Sequence, residues 1–192
     1  MSYIACRIKV TDCSCYNTRL FTYPAIDKPF ACRACCSNMS IHRLERKQFI
    51  RSNITELWDF FSNPGNLSVI TPPYMNFRIT SPADGRGIYP GQVITYKVSP
   101  LLGIPLSWMT EITHVERHQH FVDEQRHGPY RLWHHQHHFE EKDGGIQMTD
   151  IVHYQLPAFW LGEIAHLLFI KQQLGNIFDY RYKKIEAIFN NT

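Results

Sequence analysis

The chain has 192 residues, of which 44% are hydrophobic, and a formal net charge of +3. This length predicts one domain, alone or with a tail, that buries roughly 70% of the surface exposed by its unfolded chain. The sequence has no run of about 18 apolar residues, so we expect no transmembrane helix and no stable insertion into a membrane. Its first residues lack a long apolar segment, so we expect no secretory signal.

The cysteines and the excess positive charge are confined to residues 1–38. The six cysteines are Cys6, Cys13, Cys15, Cys32, Cys35 and Cys36. The same segment holds five basic and two acidic residues, so residues 39–192 have a net charge of zero. A domain without excess positive charge has no electrostatic basis for binding nucleic acid, and we expect no such binding.

Residues 1–38 allow three interpretations. The thiols of Cys13-x-Cys15 and Cys32-x-x-Cys35 have the spacing of metal ligands, although a second CxxC pair is missing. A basic, acid-poor segment is also typical of an organelle-targeting leader. The third interpretation is an unstructured extension, with a natural start at Met39. We expect a disordered, cysteine-containing extension over 1–38 and a folded domain over 39–192. We also expect a cytoplasmic location, since a cysteine-free domain suits a reducing compartment.

Regular structure is predicted from residue 42 onwards. Asn53 followed by Glu56 has the spacing of a helix N-cap, and Pro72 ends helical structure because residues before proline avoid the α region. The predicted elements here are a strand over 42–51, short helices over 54–62 and 64–70, and a strand over 74–80.

A run of strands and one long helix follow. The links between the strands are short and rich in turn residues, which predicts an antiparallel meander. After Pro157 the apolar residues follow helical spacing to the C-terminus. The predicted strands cover 92–98, 106–116, 120–127, 130–141 and 145–156, and the predicted helix covers 158–189.

Alternation along two of these strands places aromatic and titratable side chains on the same face. Such a mixture is unusual for a solid core and typical of the wall of a ligand cavity. The predicted apolar lining consists of Trp108, Phe121, Trp133, Phe139, Val152 and Tyr154. The predicted polar contacts to a ligand come from Asp123, Gln125, His135, His137 and Asp150.

The histidines around position 136 suggest two kinds of chemistry. Alternation directs His135 and His137 to one face and His134 and His138 to the other. An open metal site needs three protein ligands, and a third would have to come from a neighbouring strand. We therefore expect no metal and no other cofactor.

Acid–base catalysis is the second possibility. Asp123, His135 and Asp150 are the candidate catalytic residues, because burial and neighbouring charges shift the pKa values of such groups. The alternative explanation is that buried carboxylates and imidazoles pair with each other only to satisfy their hydrogen bonds.

Four stretches resemble a known family. They are ELWDFFSNPGNLSVITPPYMNFRI (56–79), WMTEITHVERHQHFVDEQRHGPYRLWHHQHHFEE (108–141), DIVHYQLP (150–157) and IFDYRYKKIE (177–186). Over about residues 41–189 the chain resembles the SRPBCC group of the START-like, birch-pollen-allergen-like superfamily, in its polyketide cyclase-like subgroup. The resemblance implies an α+β helix-grip fold. In that fold a curved antiparallel sheet of six or seven strands wraps around a long C-terminal helix, with two short helices after the first strand.

The resemblance also implies a cavity for a hydrophobic small molecule, such as a lipid, a quinone or a polyketide-like compound, between the sheet and the C-terminal helix. A non-catalytic binding protein is the leading interpretation. The alternative is a cyclase, dehydratase or hydrolase that acts on a polyketide-like substrate through the Asp/His set. A protein-interaction module is the third. The sequence has no G-x-S-x-G, P-loop or G-x-G-x-x-G motif, and it leaves the ligand and the oligomeric state open.

Overall fold

The structure, a computed structural model, describes residues 41–82, 85, 87–101, 103–157 and 163–190. The predicted extension over 1–38 lies outside the described residues, and so do residues 158–162 of the predicted C-terminal helix. None of the helices in the described ranges is both long and apolar enough to cross a membrane.

The described residues form one seven-stranded antiparallel sheet with helices. The strands are β1 (His42–Ile50), β2 (Arg78–Ile79), β3 (Val93–Leu101), β4 (Ile104–Glu116), β5 (His120–His127), β6 (Leu132–Lys142) and β7 (Gly145–Gln155). The helices are α1 (Ile54–Phe61) and α2 (Glu163–Ile185). Two 3-10 helices (Pro64–Ser68 and Pro73–Met75) follow α1, and a π-helical segment (Glu186–Asn190) follows α2.

The strand order is β1-β7-β6-β5-β4-β3-β2. Strands β3 to β7 form a meander, and β1 joins its end by pairing with β7. The chain between β1 and β2 therefore passes from one edge of the sheet to the other. Helix α1 and the two 3-10 helices lie in this crossing connection.

Helix α1 begins at the predicted cap. The Asn53 side chain accepts a hydrogen bond from the backbone N–H of Glu56 at 2.8 Å, which satisfies one of the free donors at the helix start. The helix buries Trp58, whose ring meets the rings of Phe121 and Phe139 nearly edge-on. Aromatic pairs of this geometry contribute roughly 0.5–1.5 kcal/mol beyond the burial of their area. The cap and these contacts fix α1 against the sheet.

Two predicted elements between α1 and β3 are wrong in type or length. The helix predicted over 64–70 is a 3-10 helix that ends at Ser68. The strand predicted over 74–80 is reduced to Arg78–Ile79, because a 3-10 turn follows Pro72 and Asn76 has a left-handed backbone with φ of 46°. A left-handed residue interrupts an extended run, so pairing with β3 starts only at Arg78.

Helix α2 covers one side of the sheet. Leu174, Phe178, Arg181 and Ile185 are buried along one stripe of it, which is the spacing of a helix face directed towards a core. The predicted helix-grip architecture is confirmed: a seven-stranded antiparallel sheet, a long C-terminal helix and short helices after the first strand.

Candidate functional site

A cavity of about 200 Å³ lies among β3 to β6, the short helices and α2. Protein interiors rarely contain voids larger than a water molecule, so a space of this size is a specific feature. Most of its wall is apolar. The apolar lining includes Phe60, Phe61, Leu67, Ile70, Met75, Phe77, Ile88, Ile94, Val98, Ile112, Leu174, Ile177 and Phe178.

Six of the predicted site residues line this cavity. They are Trp108, Phe121, Asp123, Trp133, His135 and His137. Alternation along β5 and β6 is sufficient to direct these side chains inwards, because each strand keeps its period of two through the relevant positions. Their contact with a ligand stays a prediction.

The other five predicted residues do not line it. Phe139 packs in the core beneath α1, and Val152 and Tyr154 pack against the helix residues Leu174 and Phe178. Around Val152 and Tyr154, α2 lies directly on the strands, so inward-facing side chains there meet the helix and not the cavity.

Gln125 and Asp150 are displaced from the cavity for different reasons. The Gln125 side chain donates to the backbone oxygen of Tyr130 at 2.6 Å and accepts from its N–H at 3.3 Å, so it braces the turn between β5 and β6. Asp150 lies behind His135 and His137, with Oδ1 3.2 Å from Nε2 of His135 and 2.8 Å from Nδ1 of His137. Both residues hold parts of the cavity wall in place without lining the cavity themselves.

An aromatic group forms one part of the wall. The Trp108 ring lies 5.6 Å from Tyr130 and 5.5 Å from Trp133, centroid to centroid. Its Nε1–H donates to the Thr110 hydroxyl at 3.1 Å, and the Tyr96 hydroxyl lies 3.1 Å from the same oxygen. Burial raises the pKa of Tyr96 and of Tyr130, so both phenols are neutral. The rings are held in place by neutral hydrogen bonds and offer flat apolar faces to a ligand.

A network of charged and titratable side chains forms another part of the cavity wall. His137 places Nε2 3.0 Å from Asp123 Oδ2 and Nδ1 2.8 Å from Asp150 Oδ1. His135 places Nδ1 3.4 Å from Asp123 Oδ2 and Nε2 3.2 Å from Asp150 Oδ1. The Arg181 guanidinium lies 3.4 Å from Asp150 Oδ1. Two imidazoles are thus placed between two carboxylates.

The Nδ1 of His137 has a second charged neighbour besides Asp150. Arg181 Nη2 lies 3.2 Å from it in hydrogen-bond geometry, and Asp150 Oδ1 lies 2.8 Å away. Both nitrogens of His137 are thus held by charged groups, Nε2 by Asp123 and Nδ1 by Arg181 and Asp150.

The pKa values of the network follow from these charges. Burial raises the pKa of Asp150, but the Arg181 charge and the hydrogen bonds from both histidines hold it well below its usual range. Burial likewise raises the pKa of Asp123, and the fields of His135 and His137 still lower it overall. Burial and the neighbouring His137 lower the pKa of His135, so this ring stays neutral.

Sequence reasoning missed Arg181. A signal for it exists, because Arg181 lies on the apolar stripe of α2, three residues after Phe178 and four before Ile185. A lone charge on a buried stripe needs a buried partner of opposite charge, and Asp150 is that partner. The Nε–H of Arg181 is buried and has no hydrogen-bond acceptor among the described residues.

The sheet's opposite face carries the other histidines of β6. His134 contacts Glu124 at 2.9 Å and Gln136 at 2.9 Å, and His138 contacts Gln136 at 3.0 Å. These side chains are half-buried. The sequence-based division of the histidines into an inward and an outward pair agrees with these positions.

Comparison with known proteins gives a structural likeness only. No protein-family model matches the chain, and no curated protein matches its sequence. The solved Zhui aromatase/cyclase from Streptomyces sp. R1128 superposes with a TM-score of 0.61 at 11% identity, over 77% of this chain and 93% of that one. The chain has the helix-grip fold.

Two other solved structures resemble the same helix-grip domain. Protein Ms6760 from Mycobacterium smegmatis superposes with a TM-score of 0.56 at 18% identity, covering 76% of this chain and 89% of that one. Ginseng major latex-like protein 151 from Panax ginseng gives a TM-score of 0.53 at 13% identity, covering 77% and 96%. The predicted helix-grip fold is confirmed, and at these identities the likeness establishes the fold alone.

Proposed function

We propose that this protein binds a hydrophobic small molecule in the cavity between the sheet and α2. The observation that carries the proposal is the apolar space of about 200 Å³. An apolar cavity on the order of 150 Å³ is enough to stay dry and admit a benzene-sized molecule. An empty apolar space lowers the stability of the folded protein. A ligand that fills the space also removes its own apolar surface from water, and both effects favour binding.

The size and lining restrict the ligand class. Drug-sized pockets have volumes of roughly 300–1,000 Å³, so the smaller cavity here favours a compact, flat molecule over a lipid with two chains. The rings of Trp108 and Trp133 suit an aromatic or polyketide-like body. The buried Nε–H of Arg181, which has no acceptor among the described residues, favours an oxygen acceptor at the opposite end of the ligand.

The test uses a neutral fluorescent probe, N-phenyl-1-naphthylamine, with the full chain. Ile177 lines the cavity and is partly buried, whereas the adjacent Asn176 is exposed. Ile177→Trp fills the space, and we expect probe affinity to fall by at least about tenfold, or 1.4 kcal/mol. Asn176→Trp adds the same ring on the outside and should leave the affinity unchanged.

Circular dichroism would establish that both variants are folded. Equal probe affinity for the two variants would contradict binding in the cavity. Native mass spectrometry of the purified protein would then identify any molecule that accompanies it from the cell, and the Ile177→Trp variant should carry less of that molecule.

A second candidate function is acid–base catalysis on a polyketide-like substrate, in a cyclase, dehydratase or hydrolase type of reaction. The observation that favours it is the Asp123–His137 pair in the cavity wall, in which Nε2 lies 3.0 Å from the carboxylate. An imidazole held at a fixed position next to a bound carbonyl is the arrangement that general acid–base catalysis needs. The structural likeness to an aromatase/cyclase supports this candidate at the level of the fold.

Isosteric substitution separates the two candidates. Asp123→Asn keeps the shape of the wall and removes one carboxylate that orients His137. If the protein is an enzyme, conversion of an aryl β-diketone, followed by its ultraviolet absorbance, should fall by about 10²–10⁴-fold while probe binding is kept. Probe binding without any conversion by the unsubstituted chain would point to a binding role only.

We further propose that residues 39–192 are sufficient for binding. Support comes from the described helices and strands, which lie between His42 and Asn190. A fragment of residues 39–192 should fold and bind the probe with the affinity of the full chain. A fragment that binds more weakly would assign part of the function to residues 1–38.

A further inference from the structure

We propose that Asp123, His135 and His137 form a binding site for one divalent transition-metal ion, open towards the cavity. One ligand atom from each residue lies within 4.8 Å of the other two. His137 Nε2 and His135 Nδ1 are 3.0 and 3.4 Å from the same carboxylate oxygen, Asp123 Oδ2. With metal–ligand bonds of about 2.0–2.2 Å, ligand atoms at neighbouring vertices lie about 3 Å apart, so two of the three separations already suit an ion.

Asp150 supplies the outer support that such sites require. Metal-binding histidines almost always donate their second N–H to a carboxylate or carbonyl, which fixes the tautomer. Here one oxygen of Asp150 lies 3.2 Å from the second nitrogen of His135 and 2.8 Å from that of His137. With those nitrogens protonated, His135 Nδ1 and His137 Nε2 direct lone pairs towards Asp123. Three acceptors then converge on one point, and only a cation can stabilise that arrangement.

A metal ion would take the place of the direct contact between His137 Nε2 and Asp123. The ion binds Nε2, and the single proton of the neutral ring then lies on Nδ1, which faces Asp150. Asp123, Asp150 and Arg181 together carry a charge of −1, so the ion brings the network to +1. An anionic oxygen of a cavity ligand, such as an enolate or phenolate, would restore neutrality. The inference therefore rests on the proposed cavity function and names an oxygen-bearing end of the ligand.

The ligand set indicates the class of ion. Two imidazoles and one carboxylate with free coordination positions are typical of Fe²⁺ and Zn²⁺ sites, whereas Mg²⁺ and Ca²⁺ prefer oxygen ligands. All three side chains line the cavity, so the free positions can be reached by a bound molecule. Within the part of the chain that the structure describes, this is the one group of three such ligands.

The test titrates chelator-treated full chain with Co²⁺, after the cysteines have been alkylated so that thiols do not compete. We expect one Co²⁺ per chain, with visible d–d absorption of four- or five-coordinate nitrogen–oxygen ligation. Asp123→Asn should weaken Co²⁺ binding by more than the roughly 10–100-fold that loss of an outer hydrogen-bond partner costs. His138→Ala, on the opposite face of the same strand, is the matched control and should bind Co²⁺ as the unsubstituted chain does.

A second measurement uses the unsubstituted protein, so it does not depend on whether the variants fold. Long-range ¹H–¹⁵N NMR of the histidine side chains, with and without Zn²⁺, should show ligation at His135 Nδ1 and His137 Nε2. Unchanged resonances at both atoms with saturating Zn²⁺ would overturn the proposal, and so would Co²⁺ binding that survives in Asp123→Asn but not in His138→Ala.

Probe binding separates this proposal from the proposed function. If chelator-treated protein binds N-phenyl-1-naphthylamine but takes up no Co²⁺ at these residues, the metal site is wrong and the apolar cavity function stands. If the protein takes up Co²⁺ there but never binds the probe, the metal site stands and the cavity function is wrong.

Discussion

Strand β6 presents two pairs of histidines to opposite surroundings. His135 and His137 are 6% and 4% exposed and lie between two buried carboxylates. His134 and His138 face outwards, where they contact the half-buried Glu124 and Gln136. The residue type is the same on both faces, so the difference in energetic weight comes from burial and from the groups opposite each ring. Chemistry at the inward pair should therefore be sensitive to changes that leave the outward pair unaffected.

The largest expected effect is the loss of the shared inward carboxylate. Asp150→Ala leaves the buried Arg181 guanidinium without its carboxylate and removes the partner of both inward histidines. Removing one partner of a buried ion pair costs about 3–5 kcal/mol, and we expect a loss of that size in the free energy of unfolding measured with urea.

The corresponding substitution on the outward face should lower the free energy of unfolding far less. Glu124→Ala removes the carboxylate that contacts His134, but solvent reaches this pair, and exposed ion pairs contribute about 0–1 kcal/mol. Similar losses in Asp150→Ala and Glu124→Ala would show that the two faces do not differ as described.

The next effect compares apolar residues on the two faces of β7. Val152 is fully buried against α2, whereas the adjacent Ile151 is half-buried on the other face. Val152→Ala should cost about 2 kcal/mol, from the two carbon atoms lost and the cavity they leave. Ile151→Ala removes more carbon atoms but less buried area, and should cost about 1 kcal/mol or less.

The same substitution tests the outline of the cavity. Val152 was predicted to line it, yet the side chain packs beneath α2. We expect Val152→Ala to bind N-phenyl-1-naphthylamine with unchanged affinity. A marked change in affinity would place Val152 in the binding site after all.

The third effect is a pH dependence of stability that belongs to His135. Its pKa is lowered by burial and by His137, and the groups that face it are Asp123, Asp150 and His137. Between the folded pKa and the ordinary value of about 6.5 the unfolded chain binds a proton that the folded chain does not. The stabilisation is therefore complete above pH 6.5 and is lost as the pH falls from there through the folded pKa.

Urea unfolding of chelator-treated protein at several pH values measures this dependence. For one proton the slope is at most about 1.4 kcal/mol per pH unit. We expect His135→Gln to reduce the slope below pH 6.5, even though it lowers stability at pH 7.5. Identical slopes for His135→Gln and the unsubstituted chain would assign the dependence to other groups.

The smallest effect concerns the helix that covers the inward face. A methyl group at Gly175 in α2 would meet only Arg46 Nη2, at the ordinary distance of 3.7 Å. Gly175→Ala should therefore raise the free energy of unfolding by up to about 1 kcal/mol, the difference in helix propensity. Gly145→Ala should lower it, because a methyl group there would lie 2.6 Å from the backbone oxygen of Ile50. A loss of stability in Gly175→Ala would mean that α2 packs more tightly than described.

Local patterns predicted a large part of this structure. Alternation separated the histidines of β6 correctly, since a strand that is buried on one face keeps its register. The helix cap at Asn53 could be predicted because its partner, Glu56, is only three residues away. Where local rules compete, as after Pro72 and at Asn76, the predicted strand was too long.

Contacts between distant parts of the chain were harder to predict from the sequence. Alternation shows that Phe139, Val152 and Tyr154 point inwards, but it cannot show that α1 covers the first and α2 the other two. Arg181 acts through Asp150, which is 31 positions away in the sequence, and only the packed structure brings the two together. The pattern of a strand determines the direction of its side chains, and the packing of the other elements determines what those side chains meet.

The most direct test of the cavity is an NMR measurement of contacts between isoleucine methyl groups and the bound probe, N-phenyl-1-naphthylamine. Some isoleucines line the cavity, and others are buried in the core away from it. The cavity set is Ile70, Ile88, Ile94, Ile112 and Ile177, and the core set is Ile50, Ile146 and Ile185. We predict intermolecular nuclear Overhauser effects to the cavity set and none to the core set. Contacts to the core set alone, or to surface methyl groups, would contradict a ligand cavity between the sheet and α2.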